Sequence, residues 1–438
     1  MFPALALLWS LADRPRNAAL WGMFAVLISH RWILGLHPLT WMGVPAWLSL
    51  PVAVALWLCC GVAAALLLLL WSLLARMCRF RDGGWRFSVV LLLSLVWGGA
   101  ELLLEGSPLF WIGVGGSVLP LDRPLAGLAR WLGSGGLATL QLIWGWGLWQ
   151  LWRRRGKRST AWLLSLLLAH GLGALSLVPP PAFASLRLGA WQPAVPTREK
   201  FSPDRQRRFN AALSSALQQA QALQVQALVA PEGTLPSRWQ PDDVDGLPLP
   251  LISGGFRWVR GQLRSSVLLG LPGRAGLEPL VDKHRLVPLG EWLPPLPAGL
   301  TRGLSAVGGL QPGNASRYAE AWPSPSAIAI CYEISHGWAL AQASAQGAEW
   351  LLTIANLDPY PQLLQRQFLA LAQLRAIETG RDVLSVANTG PTALVSADGS
   401  VQQLLEAGSE AVAVTDLQLR SQLTGYARLV SGWSWSSR

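Results

Sequence analysis

Three residues in the second half of this 438-residue chain carry side chains suited to acyl chemistry: Glu232, Lys283 and Cys331. Cys331 closes an apolar, β-type run, Ala327-Ile328-Ala329-Ile330-Cys331-Tyr332-Glu333, and no other cysteine follows residue 78. Without a partner in its own half it is either a reactive thiol or a small buried hydrophobe. Lys283 is one of three lysines, with Lys157 and Lys200, among 35 basic residues. Where charge alone is needed this chain uses arginine; lysine offers a compact ammonium whose pKa moves on burial. Glu232 follows Pro231 after an apolar run, a setting that suits a proton-accepting carboxylate. Singly, each has a plain structural explanation. Together they supply a nucleophile, a base for its proton and a cation for the oxyanion of a tetrahedral intermediate.

The elements that must position these residues are legible in outline. Strands are expected at 184–190, 224–230, 265–270, 327–332, 350–355 and 383–387, with a hairpin near 392–404 turning at Asp398-Gly399. Residues 203–222 have the pattern of an amphipathic helix, and a helix over about 361–379 is closed by Gly380. Strands alternating with helices predict a layered α/β domain of about 250 residues. Glu232, Cys331 and Glu333 fall at or just past strand ends, where loops distant in sequence can share one rim. His284 and His336 raise a Cys–His alternative, although in a strand His284 and Lys283 point to opposite faces.

The first half is a different material. Mean hydropathy is +0.34, and the apolar residues concentrate before residue 180. A spanning helix needs about 20 apolar residues. Five stretches qualify, 18–37, 48–75, 87–105, 134–152 and 160–178, after a short apolar segment at 1–12. Of the formal charge of +11, most lies in this half, where arginines crowd 76–86 and 153–158. Such clusters mark cytoplasmic loops, which places Glu101–Arg130 and everything after residue 180 outside. The positive charge is therefore a topology signal and not a nucleic-acid footprint. Many of the 25 tryptophans, among them Trp21, Trp32, Trp41, Trp47, Trp149 and Trp152, are expected to anchor at the interface. Glu101 and Glu105, one turn apart, are expected at a solvated helix end, the alternative being a functional intramembrane carboxylate. Cys59 and Cys60 fill apolar helix, and no CxxC or His-rich spacing suggests a metal. The domains are thus 1–180, a helical membrane domain of about five spans, and 181–430, an extracytoplasmic catalytic domain, with a tail at 431–438.

The order Glu–Lys–Cys resembles the nitrilase, or carbon–nitrogen hydrolase, superfamily. The strings that carry the likeness are Pro231-Glu232-Gly233-Thr234, Ile330-Cys331-Tyr332-Glu333 and the run Lys283-His284-Arg285-Leu286-Val287-Pro288-Leu289-Gly290-Glu291-Trp292. Placed behind membrane spans, the last run is similar to that of the apolipoprotein N-acyltransferase family, as are Arg375–Arg381, Asn388-Thr389-Gly390 and Leu423–Arg428. The resemblance implies a multi-span α-helical membrane domain joined to a four-layer αββα sandwich. It implies a bacterial inner-membrane enzyme with its catalytic domain on the periplasmic side. It also implies ping-pong acyl transfer, from a phospholipid donor to Cys331 and on to the diacylglyceryl-cysteine of an apolipoprotein. Carried over by motif, Glu232 is the general base, Lys283 the oxyanion stabiliser and Cys331 the nucleophile; Glu291, Glu333 and Tyr332 match supporting positions. A monomer with no cofactor, metal or nucleic-acid partner is expected.

The match has departures. The family usually has one further span at each end, and it usually shows Asn-Asp where this chain has Asn356-Leu357-Asp358-Pro359. Loops 233–250 and 292–313, rich in Pro, Gly, Leu and Trp, are expected either to pack plainly or to form an apolar lid at Leu293, Leu296 and Leu300. Two rival functions share the motifs: a membrane-tethered amidase using water as acceptor, and a non-catalytic membrane module.

Overall fold

The computed structural model describes all residues except 43, 79–85, 108–109, 154–157, 197–202, 245, 289, 293–308, 321, 359 and 433–438. The chain divides into two units, Met1–Thr40 with Pro45–Val178, and Pro179–Arg438 with Trp41–Val44.

The first unit is helical. The opening apolar segment folds as α1 (Phe2–Ser10), followed by α2 (Pro15–Ser29), α3 (Ala46–Met77) and α4 (Phe87–Glu105). Two single-turn helices follow, α5 (Gly113–Gly116) and α6 (Arg123–Ala126), and then α7 (Ala129–Arg153) and α8 (Arg158–Ser176). Among the described residues, three helical stretches are long and apolar enough to cross a membrane: Pro15–Leu36, Ala46–Met77 and Phe87–Glu105. Thr160–Ser176 is a shorter apolar helix. The α7 helix bends at Gly133 and buries Ser134, Thr139 and Gln141 along with its apolar residues. α1 packs inward instead of standing alone: Leu5, Leu8 and Trp9 are buried, and the Trp9 indole N–H donates to the Leu142 carbonyl at 2.7 Å.

Two sequence expectations fail here. Glu101 and Glu105 are buried, 1% and 2% exposed. Glu101 accepts hydrogen bonds from the Val114 N–H (2.6 Å), the Gly115 N–H (3.1 Å) and the Trp97 indole (2.9 Å). The first backbone N–H groups of α5 have no partner in their own helix, and in apolar surroundings the carboxylate supplies one. The tryptophans are also not all anchors. Trp47 and Trp152 are exposed, but Trp149 is core, and Trp9, Trp71 and Trp97 stack edge to face within the bundle.

The second unit contains two six-stranded sheets. The first holds β1 (Ala184–Gln192), β2 (Ala227–Leu235), β3 (Leu251–Val259), β4 (Gln262–Gly270), β5 (Glu278–Asp282) and β12 (Ala411–Leu419), in the order β12-β1-β2-β3-β4-β5. The second holds β6 (Tyr318–Ala319), β7 (Ser326–Ile330), β8 (Trp350–Ala355), β9 (Val383–Ala387), β10 (Thr392–Val395) and β11 (Val401–Leu405), in the order β11-β10-β9-β8-β7-β6. In each sheet the middle strands run parallel, β1-β2-β3 and β7-β8-β9, with antiparallel strands outside them. These parallel strands are nearly continuous apolar runs because both faces are covered. Helix α9 (Pro203–Ala222) lays Leu213, Ala216, Leu217 and Ala220 on the first sheet. Helices α10 (Gly337–Ala345), α11 (Gln362–Thr379) and α12 (Gly425–Gly432) serve the second. The layers are α, β, β, α.

Most of the expected elements lie where the pattern put them, and Gly380 ends α11 in the left-handed region (φ 65°). β3, β5, β6 and β12 lie outside the expected strands: Gly254-Gly255 inside β3 imitates a turn, β6 is two residues long, and most of β12 is only partly buried. The stretch after Ile330 is not strand but one 3₁₀ turn, Cys331–Ser335. Of the loop 233–250, Leu235, Trp239, Leu247 and Leu249 are buried in the core under α9, so that part packs and is no lid. Leu293, Leu296 and Leu300 lie outside the described residues.

Candidate active site

Glu232 stands inside β2 and not after it. The β2–β3 register breaks between Ala230 and Leu235, and Gly233 takes φ +64°, which turns the strand locally. Gly254 on β3 makes room, since a Cβ there would lie 2.5 Å from the Glu232 Cα. Lys283 follows β5 directly and is held on both sides of its backbone: its N–H donates to the Ser265 carbonyl and its carbonyl accepts from Gly313 N–H, each at 2.8 Å. Cys331 follows β7 with φ +55°, a left-handed conformation costly for a residue with a Cβ. Three strands from two sheets thus bring one candidate group each.

The groups converge. Lys283 Nζ, 1% exposed, lies 2.7 Å from Glu232 Oε1 and 2.7 Å from Glu291 Oε1. Glu232 Oε2 accepts from the Asn356 N–H at 3.1 Å, and Glu291 Oε2 from the Val287 N–H at 2.9 Å. Burial alone would lower the Lys283 pKa, but the two carboxylates outweigh it and hold the ammonium well above its ordinary range. Burial, with the opposing pull of Lys283 and the push of Glu232, leaves Glu291 above the usual carboxylate value. The Cys331 thiol is pushed well up by burial and by the Glu232 charge, against the pull of Lys283. The thiol therefore rests protonated, beside a carboxylate and a fixed cation.

The other matched positions take distinct places. Glu333 does not touch the Lys283 ammonium. Its Oε1 accepts the His284 N–H (2.9 Å) and the Arg285 N–H (3.0 Å), and its Oε2 accepts the Ile330 N–H (3.0 Å). It ties the segment after Lys283 to the residue before Cys331. Arg317 Nη1 meets both Glu333 oxygens, at 3.0 and 2.9 Å, and Nη2 reaches the Asp282 carbonyl at 3.0 Å. Tyr332 donates its hydroxyl to the Leu286 carbonyl at 2.8 Å and lays its ring under Arg285 and Lys283. Asp282, gripped by Arg257, Ser266 and Arg264, has its carboxyl held down at about 2 although burial works the other way.

Neither histidine serves the thiol. His284 is exposed and its ring bonds the Gly313 carbonyl at 2.8 Å. Burial and Arg285 push His336 down to about 3, so it stays neutral, at the C-terminal end of the 3₁₀ turn that Cys331 opens. Sequence reasoning missed Arg317 and Tyr360. Burial and the charges of Cys331, Glu291 and Glu232 raise the Tyr360 phenol. Tyr360 had only the Asn356–Pro359 departure to point to it; Arg317 had no local signal.

The family comparison bears on this geometry. The carbon–nitrogen hydrolase model matches residues 260–424, which include Lys283 and Cys331. Apolipoprotein N-acyltransferase of Parasynechococcus marenigrum (strain WH8102) is 83% identical over 438 residues, covering 100% of this chain and 94% of the relative. The chain belongs to the apolipoprotein N-acyltransferase family. Its counterpart in Prochlorococcus marinus (strain MIT 9313) is 59% identical over 442 residues, covering 98% and 88%. Among solved structures, Nit3 of Saccharomyces cerevisiae is 12% identical, with TM-score 0.39, over 59% of this chain and 97% of its own. Members of the apolipoprotein N-acyltransferase family are acyltransferases on the carbon–nitrogen hydrolase fold, and the two-sheet unit with its apolar helical partner is that architecture.

Proposed function

We propose that this chain N-acylates lipoproteins by a two-step transfer in which Cys331 carries the acyl group as a thioester. The observation that carries the reading is the Lys283 ammonium, 2.7 Å from both Glu232 and Glu291, next to a buried protonated thiol. In the first step the Glu232 carboxylate takes the Sγ proton as the sulfur attacks the ester carbonyl of a phospholipid. The carbonyl pair moves to oxygen, and Lys283, with two of its three N–H bonds directed at carboxylates, gives the third to that oxyanion. Collapse breaks the C–O bond, and the departing alkoxide takes the proton back from Glu232, leaving a lysophospholipid and a thioester. In the second step the α-amine of a diacylglyceryl-cysteine attacks the thioester carbon. Glu232 takes the amine proton, the C–S bond breaks and the sulfur recovers its proton. The product is an amide, with no redox change and no cofactor.

Glu291 positions Lys283, Glu333 with Arg317 holds the two active segments together, and Tyr332 supports the ammonium from below. Both lipid substrates present their head groups at a membrane surface. Cytoplasmic loops at the arginine-rich 76–86 and 153–158 segments support a catalytic unit on the periplasmic side of the inner membrane, and in this reading the chain works as a monomer.

The test is intact-mass spectrometry of wild type and Cys331→Ala after incubation with phospholipid. Wild type should gain the mass of one acyl chain and lose it on addition of a diacylglyceryl-cysteine peptide; the variant should gain nothing. An adduct discharged equally fast by buffer would make the chain a hydrolase, and no adduct on a folded wild type would sink the thioester.

A further inference from the structure

Asn388 is completely buried at the exit of β9, where the two sheets approach. Its Nδ2 donates to the Val195 carbonyl and to Asn356 Oδ1, both at 2.7 Å, and its Oδ1 accepts the Val195 N–H at 3.1 Å. Its backbone repeats the pattern, N–H to the Ala355 carbonyl at 3.0 Å and carbonyl from the Ala194 N–H at 2.9 Å. One side is the tail of β1 in the first sheet and the other is the exit of β8 in the second. The residue gripped on the β8 side, Asn356, is the one whose backbone N–H reaches Glu232 Oε2. A second rung runs alongside, Thr392 Oγ1 to Gln192 Oε1 at 2.9 Å.

We propose that Asn388 is a positioning residue for the Glu232 carboxylate, acting through Asn356 by locking the β8 exit so that its N–H stays on Oε2. This rests on the reading of Glu232 as the base. The argument is geometric. Glu232 is held on Oε1 by Lys283, just past β5, and on Oε2 by the backbone of the loop after β8. A loop N–H makes a fixed bond only if the loop is fixed; one bond of the Asn388 amide grips the loop at Asn356 Oδ1, and the other two anchor that amide to Val195 beyond β1. The Asn356-Leu357-Asp358-Pro359 departure leaves this link intact, because Asn356 retains both the side-chain oxygen and the N–H it needs.

The groups facing Glu232 are Lys283 and Glu291, Cys331 on its turn and Tyr360 on the β8 loop. The acid limb of the rate–pH profile belongs to this coupled set. Each hydrogen bond to the charged form of a carboxylate favours that form by about one pH unit. Asn388→Ala in the full-length enzyme, assayed with a fluorescent phospholipid and a diacylglyceryl-cysteine peptide, should therefore move the acid limb up by about 0.5 to 1 unit. It should also lower kcat roughly 10- to 100-fold with little change in KM. Asn356→Ala, at a half-buried and more tolerant position, should move the limb the same way, and the double variant should be no worse than the worse single. If Asn388→Ala does not fold, Asn356→Ala decides alone. Folded variants with the acid limb unmoved, or losses that simply multiply, overturn the proposal. Glu232→Gln separates the two ideas: if it still forms the thioester at the wild-type rate, the general-base reading itself fails whatever the Asn388 variants do.

Discussion

At the scale of single residues, the site sets a fixed cation against a thiol that is slow to ionise. Lys283 is almost wholly buried between two carboxylates, so its charge persists through the neutral and mildly alkaline range. Cys331 gains nothing from waiting as a thiolate; its proton leaves when Glu232 accepts it during attack. Substituting Lys283 by Met removes the oxyanion partner and should reduce thioester formation by about 10²- to 10³-fold. Lys283→Arg should not rescue it, because a planar fork cannot occupy a compact site shaped for an ammonium. Single-turnover acylation followed by mass spectrometry measures both, and activity of Lys283→Arg within tenfold of wild type would argue against a direct role for the ammonium.

At the scale of elements, the site depends on how chain segments are tied just outside it. Glu333 collects three backbone N–H groups and Arg317, joining the Lys283 segment to the Cys331 turn. Asp282 does the same for the β3–β4 hairpin, through Arg257, Arg264 and Ser266. Its carboxyl drops from an ordinary 3.8 to about 2 on folding. A depressed carboxylate stabilises the fold above its unfolded value and loses that contribution as pH falls toward the folded one. Asp282→Asn should thus cost about 2 kcal/mol at pH 7. The gap from wild type should narrow between pH 4 and pH 2, where wild type is protonated as well. Thermal unfolding of the detergent-solubilised chain at pH 7 and pH 3 measures it; an equal gap at both would show that the ion cluster contributes through packing alone.

At the scale of the whole molecule, the charge pattern sets a testable orientation. In a background lacking Cys59, Cys60 and Cys78, a cysteine introduced at the exposed Ala407 should react with a membrane-impermeant maleimide added to spheroplasts. One at Met77, at the end of α3 beside the arginine cluster, should react only after the membrane is permeabilised. The reverse pattern would invert the topology and separate the catalytic unit from its proposed side of the membrane.

The sequence by itself determined what local physics controls. Apolar length gave the helices of the first unit, alternation and turn residues gave most strands of the second, and rarity of type marked Cys331 and Lys283. Their order and flanking strings carried the family. What the tertiary structure decided is everything that depends on contacts distant in the chain. In sequence Glu101 reads as solvated because a carboxylate near a helix end usually is; only the packed α5 turn supplies the N–H groups that bury it. Arg317 has no local signature, since a clamp is defined by its partners. Glu291 and Glu333, indistinguishable as carboxylates in sequence, divide their work through geometry: one touches the ammonium, and the other touches only backbone and an arginine. Asn388 stood in a matched string with no role attached. It acquires one only where β1, β8 and β9 meet, because hydrogen bonds between two sheets are set by how the sheets pack and by nothing along the chain.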